Sequence, residues 1–163
     1  MSESSFLIRE IHPHDNPVVE SVIKSIFHEF SLPLCGTAYE DEETPRMYES
    51  YRSANEIYYV LVEDGQVVGG AGIKPLNGED STICELQKMY FAPSARGKGY
   101  GKQIFNFCME AARALGYTQC YLESASQLTV AISIYEKNGF RHLDEPMGDT
   151  GHYSCGVWMI KTL

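Results

Sequence analysis

Residues 96–102 read Arg-Gly-Lys-Gly-Tyr-Gly-Lys, between a strand-like run and a helix-like run. The chain must turn there from one element into the other, and the glycines leave the backbone amides of the turn uncovered. The start of a helix adds a partial positive charge at the same place. Arg96, Lys98 and Lys102 add formal charge. The whole chain has 13 Lys plus Arg against 22 Asp plus Glu, a net charge of −9, so this basic cluster is a local reversal. The pattern points to a phosphate or pyrophosphate ligand. The plainer alternative is a turn that only redirects the chain. Neither common phosphate motif fits. A P-loop would need glycine where Arg96 stands and Ser or Thr where Gln103 stands. The dinucleotide pattern would need glycine at Lys102.

The acidic balance argues against nucleic acid, whose phosphate backbone needs a positive footprint. It equally argues against an anionic membrane surface. With 163 residues, 44% apolar and 21% charged, the chain reads as one globular domain over 1–163, and disorder is excluded. The start, MSESSFLIRE, lacks the basic region and apolar run of a signal peptide, and no uninterrupted apolar stretch is long enough to span a bilayer. The five cysteines, Cys35, Cys84, Cys108, Cys120 and Cys155, form no C-x-x-C pair. A disulfide framework or zinc site is not expected, and a reducing cytoplasm fits. Cys108, within FNFCMEAA, reads as a small core residue. His12 and His14 read as surface residues, and no metal is predicted.

Periodicity orders the elements. FLIREI at 6–11 alternates like a strand, and 18–30 carries one apolar helical face. A short helix is expected from Thr44 to about Tyr51. Two apolar runs flank Asp64-Gly65, a strong hairpin dipeptide. STICELQKMYFAP is a further strand, and Ile104, Cys108, Ala111 and Leu115 mark a helix ending at Gly116. Then come a strand at 117–124, a helix at 128–137, a short strand FRHLDE and a final strand HYSCGVWMIKTL. The order is βααβββαβαββ. The fold class is α/β, with a mixed (α+β) sheet in which hairpins coexist with one strand–helix–strand unit.

Arg96 to Gly101 matches [QR]-x-x-G-x-[GA] at every fixed position. With MYFAPSARGKGYGK before and around it and AISIYEKNGF further on, the chain resembles the GNAT acyltransferase superfamily. The resemblance is closest over 57–143 and thinner over the N-terminal helices and the last strand. It implies a GNAT acyl-CoA N-acyltransferase fold and acetyl-CoA as cosubstrate. By that resemblance the pyrophosphate lies on the backbone of Arg96, Gly97, Lys98, Gly99, Tyr100, Gly101 and Lys102. The central strand is expected to splay from its neighbour, and the pantetheine arm to bond to the backbone of Met89, Tyr90 and Phe91. The Met89 amide would donate to the thioester carbonyl.

The implied reaction is attack of a neutral amine on the thioester within a ternary complex. Tyr135 aligns with the family tyrosine near the sulfur and is the candidate acid; otherwise it is only an aromatic on the helix face. Glu85 stands eleven residues before Arg96, where some members place a catalytic glutamate. Barring a bulge, Glu85, Gln87 and Met89 share one face of the strand. Glu85 is the candidate base, with lining the cleft or holding the ammonium as the alternative. Leu128 stands where many members have an asparagine that contacts the coenzyme arm. Ser124 or Ser126 would have to replace that contact. Lys137 could reach the ribose phosphate or simply be solvated.

The acceptor would be a small-molecule amine or a protein amino group. Residues 37–43, with Tyr39, Glu40, Asp41, Glu42 and Glu43, and the turn LDEPMGDTGHYS would border its site. Acidic and aromatic side chains there could receive a cationic amine, or form only a solvated loop. A non-catalytic acyl-CoA-binding sensor is the competing function. Monomer and homodimer are both compatible with the sequence.

Overall fold

A computed structural model describes residues 4–163; the first three residues of the polar start lie outside the described residues. The elements run β1 (Phe6–Glu10), α1 (Asn16–Glu29), α2 (Met47–Ser50), β2 (Ile57–Glu63), β3 (Gln66–Pro75), β4 (Ile83–Phe91), α3 (Tyr100–Ala114), β5 (Gln119–Ser124), α4 (Thr129–Lys137), β6 (Arg141–Leu143) and β7 (Val157–Thr162). The strands form one seven-stranded sheet in the order β1-β2-β3-β4-β5-β7-β6. Only β4 and β5 run parallel; every other neighbouring pair is antiparallel.

Local chemistry explains the elements. Asp64 and Gly65 both take positive φ, 49° and 80°, as the tight β2–β3 hairpin requires. Alternation along β2 sends Tyr58, Val60 and Val62 to one face and Leu61 to the other. The first face is covered by α1 through Val19, Ile23, Ile26 and Phe27, spaced to form one helical stripe. The second is covered by α3 through Ile104, Phe105, Cys108, Met109 and Ala112. Each fully buried large apolar side chain of this kind contributes roughly 1.5–3 kcal/mol. Cys108 is fully buried in that core, which raises its thiol pKa.

Two irregularities in β4 position the site. First, β4 pairs with β5 only through Ile83, Cys84 and Glu85, while β5 continues along β7 to Ser124. From Leu86 onward the β5-facing edge of β4 therefore has no strand partner, and the strands part. Second, Gly70 and Gly72 of β3 face Tyr90 and Gln87, so Lys88 and Met89 together oppose Ala71. Lys88 takes φ 50°, an uncommon conformation for a non-glycine residue. The buried Tyr58 hydroxyl donates to the Lys88 carbonyl at 2.8 Å and holds the bulge.

The bulge corrects one expectation. Glu85 and Gln87 share a face, but Met89 crosses to the α3 side with Phe91. The last strand is also shorter than its alternation suggested. Residues 152–156 form a turn, with the Tyr153 and Ser154 amides donating to the Gly36 carbonyl at 3.0 and 3.3 Å. Gly151 and Gly156 bracket that turn with positive φ, which ends the strand pairing.

Candidate functional site

Three recesses meet along the open edge and the bulge of β4. The outermost is a groove of about 630 Å³ between the glycine-rich turn, the end of α1 and the start of α4. Gly99 caps α3 with φ 80°, and the first helical hydrogen bond runs from the Gln103 amide to its carbonyl at 3.3 Å. The amides of Tyr100, Gly101 and Lys102 consequently have no partner within the helix. A Cβ on Gly101 would lie 3.4 Å from Ile134 and 3.6 Å from Phe91. The missing side chain thus keeps the groove floor open where a ligand must approach backbone.

The predicted coenzyme residues Met89, Tyr90, Phe91, Arg96, Gly97, Gly99, Tyr100, Gly101 and Lys102 all line this groove. Lys98 does not; its ammonium pairs with Glu63 at 2.7 Å. The Arg96 guanidinium bonds both Glu29 carboxylate oxygens, at 2.8 and 2.6 Å, and the Phe91 carbonyl at 3.0 Å. It therefore ties the turn to the end of α1, and the charge available to a ligand comes mainly from amides and Lys102. Gln127 and Thr129 line the groove beside Leu128, whereas Ser124 lies in the next recess. Lys137 is exposed and outside the groove.

The second recess is an inner cavity of about 70 Å³, sharing Met89, Tyr90, Leu128 and Ala131 with the groove. It holds Glu85, Ser124, Tyr135, His152 and Cys155. Tyr135 is wedged by ring contacts with Phe105 and Phe140. Burial raises its pKa, so the phenol is protonated at neutral pH. Its hydroxyl has no hydrogen-bond partner among the described residues, which leaves it available to a ligand.

Glu85 is 5% exposed. Burial raises its pKa to about 7; repulsion from Glu123 adds to the rise, while the Gln87 hydrogen bond and the charges of His152 and Lys88 offset part of it. Gln87 donates its amide to Glu85 and accepts from Tyr51 at 2.7 Å, so the carboxyl is held in one orientation.

The third recess, about 600 Å³, opens on the opposite side and shares Glu85, Gln87, Lys88 and His152 with the inner cavity. Its walls carry Asp41, Glu42, Glu43, Glu56, Glu79 and Asp149 against Lys74, Lys88 and His152. Lys88 is paired with Asp41 at 3.1 Å and Glu43 at 3.3 Å. Burial alone would lower the His152 pKa, but hydrogen bonds to Asp41 and Cys155 outweigh it and raise the value to about 10. Of the acceptor residues expected from 37–43, Tyr39 instead packs on Phe27 and bonds His28, and Glu40 caps the Gly36 amide.

Sequence reasoning did not reach Lys88 or Glu123, and it placed Gln87 only on the Glu85 strand face and His152 only within a turn bordering the acceptor site. Turn signals at Gly151 and Gly156 could have removed residue 152 from the final strand. Nothing in the sequence marks Lys88 for positive φ.

Comparison with known proteins gives the family and the fold. Residues 22–140 match the model of the Acetyltransferase (GNAT) family. An N-acetyltransferase of Escherichia coli K12 named YjgM, itself uncharacterized, is 41% identical over 100% of this chain and 98% of its own length. A GNAT-family acetyltransferase from Staphylococcus aureus Mu50 superposes with TM-score 0.86 at 18% identity, covering 97% of this chain and 99% of that one. The yncA protein of Salmonella typhimurium, a putative acetyltransferase solved with acetyl-CoA, has TM-score 0.77 at 19% identity, covering 98% and 94%. This chain belongs to the GNAT family of acetyltransferases.

Proposed function

We propose that the protein transfers the acetyl group of acetyl-CoA to a cationic primary amine by direct attack in a ternary complex. One observation carries the reading. Glu85 stands in the wall common to the inner cavity and the acidic recess, and Tyr135 lines the same cavity on the coenzyme side. The two proton-handling groups thus flank the point where donor and acceptor would meet.

The coenzyme fits the outer groove on two grounds: the unpartnered amides at the start of α3 suit a pyrophosphate, and the unpaired edge of β4 suits an amide-bearing arm. Bound there, acetyl-CoA would supply an acetyl group already activated as a thioester. Arg96, Gly97, Lys98, Gly99, Tyr100, Gly101 and Lys102 form the turn that receives its phosphates. Lys98 acts through backbone, since its side chain is held by Glu63.

An arriving ammonium passes the carboxylates of the acidic recess and reaches Glu85. With a pKa of about 7, Glu85 is substantially ionised at neutral pH and still basic enough to accept the amine proton. The Met89 amide, at the bulge, donates to the acetyl oxygen as negative charge develops on it. Tyr135 gives its proton to the departing thiolate, and the proton shed by the new amide nitrogen restores the phenol; its raised pKa keeps the proton in place until then. The side chains that line the acidic recess make a cationic acceptor the better match over a neutral one.

The test is a thiol-release assay with acetyl-CoA against a panel of monoamines, diamines, amino acids and lysine peptides. Turnover with the cationic amines supports the reading. Stabilisation by CoA with no turnover on any amine would replace it with a coenzyme-binding sensor.

A further inference from the structure

We propose that Glu123, His152 and Cys155 form an inhibitory zinc site in the inner cavity of the cleft. One ligand atom from each residue lies within 4.8 Å of those of the other two. His152 Nδ1 is 3.9 Å from Glu123 Oε1. Ligands about 2.0–2.3 Å from a zinc ion lie somewhat closer together than this, so the set must contract slightly. Two of the three residues belong to or border the turn between Gly151 and Gly156, where the backbone is not held in a strand.

The surrounding bonds are those a metal site needs. Asp41 accepts from His152 Nε2 at 2.9 Å, which leaves Nδ1 turned toward Glu123. Tyr121 donates to one Glu123 oxygen and Thr150 to the other, each at 2.7 Å. A carboxylate behind the imidazole and hydroxyls behind the carboxylate fix ligand orientation, as in established zinc sites. A thiolate, an imidazole and one carboxylate favour zinc over magnesium or calcium, which prefer all-oxygen sets. All three residues line the inner cavity that also holds Glu85.

No second set among the described residues matches this one. His12, His14 and Asp15 also cluster, but Asp15 is already held by Arg9 at 2.7 and 3.1 Å. Cys84, Cys108 and Cys120 are buried in apolar core, and Cys35 is exposed.

Zinc held here sits in the inner cavity with Glu85 and Tyr135, where amine and thioester would meet. It therefore inhibits transfer. That consequence rests on the transfer reading above; metal binding itself does not. The full chain, stripped with a chelator, is titrated with cobalt(II) as a spectroscopic probe. One equivalent should give a thiolate-to-cobalt charge-transfer band that zinc bleaches. Cys155→Ser abolishes the band, and Cys35→Ser keeps it. Asp41→Asn keeps the band but weakens zinc binding about 10–100-fold. His152→Asn gives a second loss-of-site variant should Cys155→Ser fold poorly. Absence of the band, or its persistence in both loss-of-site variants, overturns the site. Zinc binding without inhibition of amine turnover overturns the inhibitory role. Failure of every amine to turn over, with the band intact, overturns the transfer reading and leaves the metal site standing.

Discussion

Replacing Glu85 with Gln should slow the enzyme and stabilise the protein, and the second effect should depend on pH. A carboxyl that ordinarily titrates near 4.5 is raised to about 7, chiefly by burial. The folded chain thus holds the Glu85 proton more tightly than the unfolded chain does. Its contribution to stability is greatest below 4.5 and is lost as pH rises through 7. At about 1.4 kcal/mol per tenfold change in protonation equilibrium, the full loss is about 3 kcal/mol. Glutamine has nearly the same shape and never ionises, and its carbonyl can still accept from Gln87. The variant should exceed the natural protein by about 3 kcal/mol at pH 8.5 and by less than about 1 kcal/mol at pH 5. In a chain of this size that is roughly 6–12 °C in melting temperature at the higher pH. Melts of both proteins at the two pH values make the comparison. The same substitution should lower kcat/KM by about 10²–10⁴-fold and remove the rise in rate through pH 7. A stability gap identical at both pH values would refute the reasoning, as would a variant less stable at pH 8.5.

Other positions give independent checks. Tyr135→Phe keeps the ring that packs on Phe105 and Phe140, so the melting temperature should hold while kcat falls about 100-fold or more. Tyr58→Phe removes the donor to the buried Lys88 carbonyl and should cost about 1–3 kcal/mol in urea unfolding. It should also raise the KM for acetyl-CoA, because Met89 adjoins the loosened bulge. Gly101→Ala places a methyl against Ile134 and Phe91 on the groove floor. CoA should then protect the variant from heat much less than it protects the natural protein, with little change in the unliganded melting temperature.

Where a residue type is tied to a backbone requirement, the sequence was readable. Asp64-Gly65 demanded a hairpin because few other pairs tolerate two positive φ values. The glycine-rich run ending at Lys102 demanded a turn into a helix, and the stripe on α3 demanded a core beneath it. The departures came from long-range packing. Lys88 adopts positive φ because Tyr58, thirty residues away, bonds its carbonyl and β3 leaves only Ala71 opposite. That bulge moves Met89 off the Glu85 face. His152 and Asp41 are 111 residues apart and meet only when the 152–156 turn docks on Gly36. The titration of Glu85 near 7 follows from burial and from Glu123, and no local spacing encodes either. The Lys98 side chain read as a phosphate ligand by its neighbours in sequence, yet Glu63 at the end of β2 claims it.

Initial rates measured while acetyl-CoA and one cationic amine are varied together test the central claim most directly. Direct attack within a ternary complex predicts intersecting double-reciprocal lines, with no acetyl group left on the protein when the amine is omitted. Parallel lines, with a stable acetyl group recovered on the chain, would contradict it.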